Sequence, residues 1–147
     1  MIHDEICTFE VCKLAKEKGF DWGGLYHYDS KGALHQHHAY DAMNSGVGVD
    51  DLLMYDGHLY TSECLAPTQS LLQRWLREEK GIIIDVILDW SYNIDFEEIR
   101  YQYRIGSIDR MTIEGGNKTK GLVFDKRFTT YELALEDALA YSLKNLV

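Results

Sequence analysis

Histidine is the residue type whose spacing in this chain most directly suggests chemistry, because three imidazoles can together hold a transition-metal ion. His35 and His37 are two positions apart, so in a strand their side chains point to one face. A turn at Ser30–Gly32 would bring His27 beside them. The spacing therefore predicts a candidate metal site formed by His27, His35 and His37. The alternative is a hairpin with exposed histidines, since the spacing matches no established metal motif and adds no cysteine or carboxylate ligand.

The three cysteines offer a second kind of chemistry. Cys7 and Cys12 lie within or at the entry of one predicted helix, where small apolar residues are typical of a core. Cys64 precedes a predicted helix whose N-terminus would lower the pKa of the thiol, and His58 is close in sequence, which makes Cys64 a candidate nucleophile. A buried, structural Cys64 is the favoured interpretation, because a Cys/His pair inferred from closeness in sequence has little specificity. An odd number of cysteines and an acidic amino terminus without the features of a signal peptide together predict a reducing, cytoplasmic location.

Charge is distributed unevenly along the chain. Fifteen Lys and Arg against 24 Asp and Glu give a net charge of −9, which on average repels a phosphate backbone. From Arg100 to Arg127 the sign reverses, with seven basic and three acidic residues. A basic strand face in this segment suggests a nucleic-acid-binding module, with the candidate residues Arg100, Arg104, Arg110, Lys118, Lys120 and Arg127. Otherwise these side chains pair with acids on neighbouring strands, where each pair contributes about 0 to 1 kcal/mol.

Three helices are predicted from apolar residues at helical spacing. The first is expected over Thr8–Lys18, with its first residue as the N-cap. The second begins after Thr68 and ends near Gly81. The third begins at Thr129, because the spacing of Thr129 to Glu132 suggests a capping box, and it continues to the end of the chain.

Strands are predicted where apolar and polar residues alternate, over Trp22–Asp29, Ala33–Tyr40, Ile82–Trp90 and Ile99–Ile105, with short strands near Met111–Glu114 and Leu122–Phe124. Asp41–Gly57, rich in Gly, Asp and Asn, is interpreted as a long loop that includes one helical turn at Asp50–Tyr55. Tight turns require antiparallel pairing, so we expect an α+β fold in which one antiparallel sheet of four to six strands packs with three helices, in the order α-β-β-α-β-β-(β-β)-α. No linker or repeat divides the chain, and residues 1–147 are predicted to form a single domain.

Three helical segments resemble a known family when taken in their order and spacing: Phe9–Asp21, Ala66–Thr68 leading into Arg74–Glu78, and Tyr131–Leu146. The family consists of small uncharacterised proteins encoded by phages, prophages and conjugative elements of gut anaerobic bacteria. Its most specific element here is Ala-Pro-Thr followed seven residues later by Trp75. The resemblance implies a mobile-element accessory protein and supplies no catalytic residue, because the family has no established activity.

The leading functional hypothesis is a non-enzymatic accessory protein that binds another protein. No catalytic constellation is recognisable, and tyrosines at alternating strand positions suggest an aromatic face of the kind enriched at interfaces, namely Tyr26, Tyr28, Tyr101 and Tyr103. The partner is unknown and no cofactor is predicted. No apolar run approaches the roughly 20 residues of a membrane span, so no membrane partner is expected.

A second alternative to the leading hypothesis, beside nucleic-acid binding, is an acidic nucleic-acid mimic that blocks a host protein. The first 66 residues contain four basic and eleven acidic residues, which motivates this hypothesis. The acids are scattered along the segment, however, whereas mimicry of a phosphate backbone favours dense and regular rows.

Overall fold

The structure is a computed structural model that describes residues 5–23, 25–36, 52–55, 58–89, 100–107, 122–123 and 126–147. Within them the chain forms three helices, α1 (Phe9–Glu17), α2 (Gln69–Lys80) and α3 (Tyr131–Asn145). The strands are β1 (Tyr26–Asp29), β2 (Leu34–Gln36), β3 (Leu52–Tyr55), β4 (His58–Leu65), β5 (Ile82–Leu88), β6 (Tyr101–Ser107) and β7 (Leu122–Val123). These elements belong to two compact units, one from Ile6 to Thr68 and one from Gln69 to Val147 that also includes Glu5. None of the helices in these ranges has the length and apolar character that crossing a bilayer requires.

The Ile6–Thr68 unit contains a four-stranded antiparallel sheet in the order β2-β1-β4-β3. Helix α1 packs against β4. Its buried residues Val11, Cys12 and Ala15 recur at the spacing of one helix face, which forms the core of this unit with the sheet. Beyond the helix, Gly19 adopts a φ of +85°, a left-handed conformation that ends the helix at little cost for glycine.

A tight turn joins β1 to β2. Asp29 Oδ1 accepts hydrogen bonds from the backbone N–H groups of Lys31 at 2.8 Å and Ala33 at 2.9 Å. Gly32 has a φ of +79°, and a Cβ atom at this position would lie 3.2 Å from the Phe9 ring. The backbone conformation therefore favours glycine, the close Phe9 ring adds to that preference, and the turn sets the register of the two strands.

The Gln69–Val147 unit contains a three-stranded antiparallel sheet in the order β5-β6-β7, with α2 packed on β5 and α3 packed on β5 and β6. The register pairs Ile84 with Ile105 and Val86 with Tyr103. Side chains of directly opposite residues share one face of a sheet. This face and the helices enclose a core that includes Leu72, Trp75, Leu76, Ile82, Ile84, Tyr103, Ile105, Ala138, Leu139 and Leu143.

Strand β5 lies at one edge of this sheet among the described strands. Asp89 N donates to Arg100 O at 2.9 Å, and because hydrogen-bonded pairs alternate in an antiparallel ladder, the backbone groups of Ile84 point away from β6. Gln73 of α2 donates its side-chain amide to the Ile84 carbonyl at 2.9 Å. One outward-facing carbonyl of the edge strand is thus covered by a side chain of the same unit.

Helix starts differ slightly from the sequence prediction. Helix α3 begins at Tyr131, and Thr130 Oγ1, instead of Thr129, accepts the capping hydrogen bond from Leu133 N at 3.2 Å. Thr8 holds the predicted N-cap position of α1, but its side chain makes no capping hydrogen bond. Two adjacent threonines have equal capping propensity, so sequence alone did not distinguish Thr129 from Thr130.

The α+β class, the three helices and the antiparallel pairing are confirmed within the described residues. The predicted single sheet is wrong for the described strands, which divide between two sheets. The predicted element order is also wrong, because four strands, not two, lie between α1 and α2. The loop prediction for Asp41–Gly57 was wrong at Leu52–Tyr55, which forms β3 and pairs with β4. A four-residue apolar run among glycines and acids becomes a strand only when a partner strand is available. The single domain over residues 1–147 stays a prediction.

Candidate functional site

Pairing of β1 with β2 brings two of the three candidate metal ligands together. His27 and His35 are directly opposite in register, and their rings stack with centroids 5.3 Å apart and 19° between their planes. His27 is buried, and His35 Nε2 lies 3.0 Å from Asp29 Oδ2. His37 lies outside the described residues. In the described part of the chain no group of three or more His, Cys, Asp or Glu side chains is arranged to hold a metal ion, and the site at His27, His35 and His37 stays a prediction.

Asp29 has a strongly lowered pKa in this hairpin. Its pKa is lowered from 3.8 to about 2, first because the backbone N–H of Ala33 donates to the carboxylate and second because His35 hydrogen-bonds it. Both bonds favour the charged form of the carboxyl group. The side chain therefore stays ionised, and holds the turn, at pH values where an ordinary aspartate is already protonated.

We expect the Asp29 carboxyl to titrate with a midpoint of about 2 in the folded protein. Because the folded pKa is depressed, the stability that this group contributes is present above the ordinary pKa of 3.8 and is lost as pH falls through about 2. In His35→Ala the midpoint should rise but remain below the ordinary value, since the Ala33 hydrogen bond persists. An NMR titration of the side-chain carboxyl carbon measures both midpoints, with urea-unfolded protein as the reference. An ordinary midpoint in the folded wild type would contradict this expectation.

On the face of β5 and β6 opposite Tyr103, basic side chains form ion pairs with acidic side chains. Arg104 lies opposite Asp85 in register, and Arg104 Nη2 is 2.6 Å from Asp85 Oδ2, with both side chains about half exposed. Arg127 Nε lies 2.7 Å from Asp89 Oδ2, and the Asp89 side chain is only 5% exposed. Both arginines therefore have acidic partners in the same unit.

The other candidate nucleic-acid-binding residues are not assembled with them by the described residues. Arg100 is described, and its backbone carbonyl accepts the hydrogen bond from Asp89 N. Arg110, Lys118 and Lys120 lie outside the described residues. Of the candidate residues that the structure describes, Arg104 and Arg127 are thus engaged in ion pairs.

We expect Arg127→Met to destabilise the protein more than Arg104→Met. Loss of Arg127 deprives the nearly buried Asp89 carboxylate of a charged partner, which should cost about 1–3 kcal/mol. Loss of Arg104 breaks an exposed pair worth about 0–1 kcal/mol. Urea unfolding followed by circular dichroism compares the two variants, and adding Asp89→Asn to Arg127→Met should recover part of the loss. Equal unfolding free energies for the two single variants would refute this ranking.

Exposed aromatic and apolar side chains meet where β5 ends and β6 begins. Leu88 is opposite Tyr101 in register, and the Tyr101 ring meets the Tyr131 ring edge-on, with centroids 6.2 Å apart and 88° between their planes. Leu88 is 39% exposed and Tyr131 is 41% exposed. Backbone hydrogen bonds in both directions between Tyr101 and Phe128 hold the start of β6 beside the segment that enters α3. We call Leu88, Tyr101 and Tyr131 the aromatic patch.

The aromatic patch only partly matches the aromatic face predicted from sequence. Tyr26 and Tyr28 lie in the first sheet, whereas Tyr101 and Tyr103 lie in the second. Tyr103 is buried, and its hydroxyl donates to a carboxylate of α3. Sequence reasoning missed Tyr131, because an aromatic residue at the first position of a helix has no alternating pattern to mark it.

A cleft of about 330 Å³ is lined by residues of α1 and β4 in the Ile6–Thr68 unit. Cys12 and Lys16, one helical turn apart on α1, line one side. Glu63 and Cys64 line the other, and Lys16 Nζ donates a hydrogen bond to the Glu63 carbonyl at 2.5 Å. We call this space the thiol cleft.

A β-bulge shapes the wall of the thiol cleft. Tyr28 pairs with Cys64, but the next residue, Asp29, pairs with Ser62, so Glu63 is an extra residue in β4. Residues 62–65 all line the cleft. A regular strand presents alternate side chains to one side, so the bulge is what allows consecutive residues of β4 to share this wall.

The two thiols of the cleft interact with each other. Cys12 is 1% exposed, Cys64 is 3% exposed, and a side-chain hydrogen bond joins them. This bond is the largest cause of the lowered pKa of the Cys64 thiol. Burial and the charge of Glu63 raise that pKa, and the charges of nearby lysines lower it. Cys12 Sγ also lies 3.5 Å from the backbone oxygen of Cys7, a second acceptor for its single proton.

Cys64 therefore has a different neighbour from the one predicted. His58 and Cys64 occupy opposite ends of β4, six residues and roughly 20 Å apart at the usual rise of an extended strand. The structure does not bring His58 and Cys64 together as a nucleophile pair, because closeness in sequence becomes distance in a strand, and Cys64 is buried, as the favoured interpretation of the sequence predicts. Cys12, remote in sequence, is the group that meets the Cys64 thiol.

No protein-family model, curated protein or solved structure matches this chain. The resemblance to proteins encoded by phages, prophages and conjugative elements stays a prediction. The geometry of the aromatic patch and of the thiol cleft is the basis of the proposals that follow.

Proposed function

We propose that this protein is a non-enzymatic accessory protein of a phage or other mobile element that binds another protein through the aromatic patch. The observation that carries the proposal is the contact of the half-buried Tyr101 with Tyr131 beside Leu88, where Leu88 and Tyr131 remain about two-fifths exposed. Clustered tyrosines with an apolar neighbour are typical of the centre of protein interfaces, where they supply most of the binding energy.

The ion pairs of this sheet lie on its other face. Asp89 follows Leu88 in the chain, so its side chain points to the opposite face of the sheet, where it pairs with Arg127. We propose that the partner covers the tyrosines and leaves this ion pair outside the contact.

The same ion pairs make nucleic acid the less favoured partner. Phosphate binding needs basic side chains that can exchange bound counterions for phosphates. Arg104 and Arg127 are paired with Asp85 and Asp89, and the whole chain carries a net charge of −9. Binding a phosphate backbone through this face would require these pairs to break.

The test uses a patch variant and a matched control. Leu88→Ser combined with Tyr131→Ser removes exposed side chains of the patch, and Leu146→Ser removes a leucine that is 43% exposed at the far end of α3. Leu146 is fifteen residues from Tyr131, or roughly 22 Å along a helix. Cross-linked complexes are isolated from the bacterium that encodes the chain, and the affinity of the identified partner is then measured for each variant.

We expect the patch variant to bind its partner at least about tenfold more weakly than the wild type, as loss of central interface residues does. The Leu146→Ser control should bind normally. Unchanged affinity in the patch variant would refute the proposed surface. Retardation of DNA or RNA in a low-salt electrophoretic shift would favour nucleic-acid binding, and turnover in a broad hydrolase screen would overturn the non-enzymatic assignment.

A further inference from the structure

The thiol cleft brings together two cysteines that are 52 positions apart in the sequence. Cys12 and Cys64 are hydrogen-bonded and line the same cleft, with the ammonium group of Lys16 anchored at its wall. From this arrangement we infer that the cleft is a redox modification site, which reacts with a small disulfide of the glutathione class and ends with a disulfide between Cys12 and Cys64. This site is separate from the aromatic patch and from the protein-binding function proposed for it.

The reaction is a double thiol–disulfide exchange. The Cys64 thiolate attacks one sulfur of the small disulfide, the sulfur–sulfur bond breaks, and one small thiolate leaves and takes a proton from water. Cys12 then loses its proton and attacks the Cys64 sulfur of the mixed disulfide, releasing the second small thiol. In sum, the two cysteines lose two electrons and two protons, and the small disulfide gains them as two thiols.

The hydrogen bonds of Cys12 assign the attacking role to Cys64. The single proton of the Cys12 thiol can be donated either to the Cys7 carbonyl or to the Cys64 sulfur. When Cys64 ionises, donation to its sulfur stabilises the thiolate, which is the nucleophilic form. The positive charge of Lys16 favours the same form. Cys12 is thereby placed to resolve the mixed disulfide once Cys64 has reacted.

The cleft has room for one half of a disulfide of the glutathione class, and the other half would extend into solvent. Its volume of about 330 Å³ lies in the range of small-molecule sites. The ammonium group of Lys16 belongs to a wall that also carries Asp21 and Glu63, so it can meet one carboxylate of a glutathione-like molecule, and the bulge at Glu63 places that wall beside Cys64. Cys7 is buried and is not among the residues that line the cleft, so it serves as an internal control.

The main experiment uses the full-length wild-type chain, so it does not depend on the folding of a variant. Reduced protein is incubated with oxidised glutathione, remaining thiols are alkylated, and non-reduced peptides are mapped by mass spectrometry. We expect a Cys12–Cys64 disulfide with Cys7 recovered as a free thiol. Modification of Cys7 at the same rate, or reaction only after the protein is unfolded in urea, would overturn the inference.

Variants test the two roles separately. Cys12→Ser should stop at the mixed disulfide of Cys64 with glutathione, and Cys64→Ser should form no adduct in the same time. Cys7→Ser, as the matched control, should still form the Cys12–Cys64 disulfide. Cys12→Ala should slow alkylation of Cys64 at neutral pH, because the variant loses the hydrogen bond that favours the Cys64 thiolate. An unchanged rate in Cys12→Ala, with circular dichroism like that of the wild type, would refute the role of Cys12.

Discussion

Trp75→Ala should lower the free energy of unfolding by about 3–5 kcal/mol. Trp75 is 2% exposed on α2, and this helix packs against both β5 and α3. Removing the indole leaves a cavity that the surrounding elements can only partly close. It also removes the contact with the Lys80 ammonium group, which lies 4.9 Å from the ring centroid. Urea unfolding followed by far-ultraviolet circular dichroism measures the loss.

Arg74→Ala is the matched control for Trp75→Ala. Arg74 is the preceding residue of the same helix, its side chain is 60% exposed, and its partner is Glu78 one turn further on. We expect the unfolding midpoint of this variant to stay close to that of the wild type. If Trp75→Ala instead kept wild-type stability and abolished partner binding, Trp75 would be an interface residue and the assignment to the core would be wrong.

Tyr103→Ala should destabilise the protein by a similar amount, about 3–5 kcal/mol. The Tyr103 ring is buried, and its hydroxyl donates to Asp137 Oδ2 of α3 at 2.7 Å. Tyr103→Phe separates the two contributions, because it keeps the ring and removes only the hydroxyl. Asp137 retains its ion pair with Lys126, so Tyr103→Phe should cost only about 1 kcal/mol. Equal losses in the two variants would contradict a role of the ring in the core.

Tyr103 should also make stability depend on alkaline pH. Burial, and then the hydrogen bond to Asp137, raise the pKa of Tyr103 above its usual value of 10. A raised folded pKa means that the stabilisation is fully present below pH 10 and is lost as pH rises through the folded value. Tyr103→Phe should therefore lose less stability than the wild type when the pH is raised above 10. Parallel unfolding curves for the two proteins across this range would contradict this expectation.

Local patterns in the sequence were sufficient for the helices and for the pairing of β5 with β6. The apolar residues of α2 recur at helical spacing up to Gly81, whose φ of +65° ends that pattern, and Ile82–Leu88 alternates as a strand should. The division into two sheets was not predictable in this way. The pairing of β1 with β4 joins segments separated by about thirty residues, and nothing in either segment specifies the other.

The candidate sites also divide into those set by local sequence and those set by contacts between distant segments. The facing of His27 and His35 was predictable because a short turn fixes the register of a hairpin. The meeting of Cys12 with Cys64 depends on the packing of α1 against β4, for which the sequence has no local signal. The ion pair of Arg104 with Asp85 lies between these cases, since it follows from the register of two strands but only once their pairing is known.

The side chain of Gln73 has a consequence for self-association. An edge strand with the sequence Ile-Ile-Ile-Asp-Val-Ile-Leu is a template on which the same segment of another molecule can add as a further strand. Gln73 occupies the carbonyl of Ile84 that such an incoming strand would use, and the charged Asp85 interrupts the apolar run next to it. One amide and one carboxylate thus protect this apolar edge segment, and a variant that lacked both should aggregate at a lower protein concentration than the wild type.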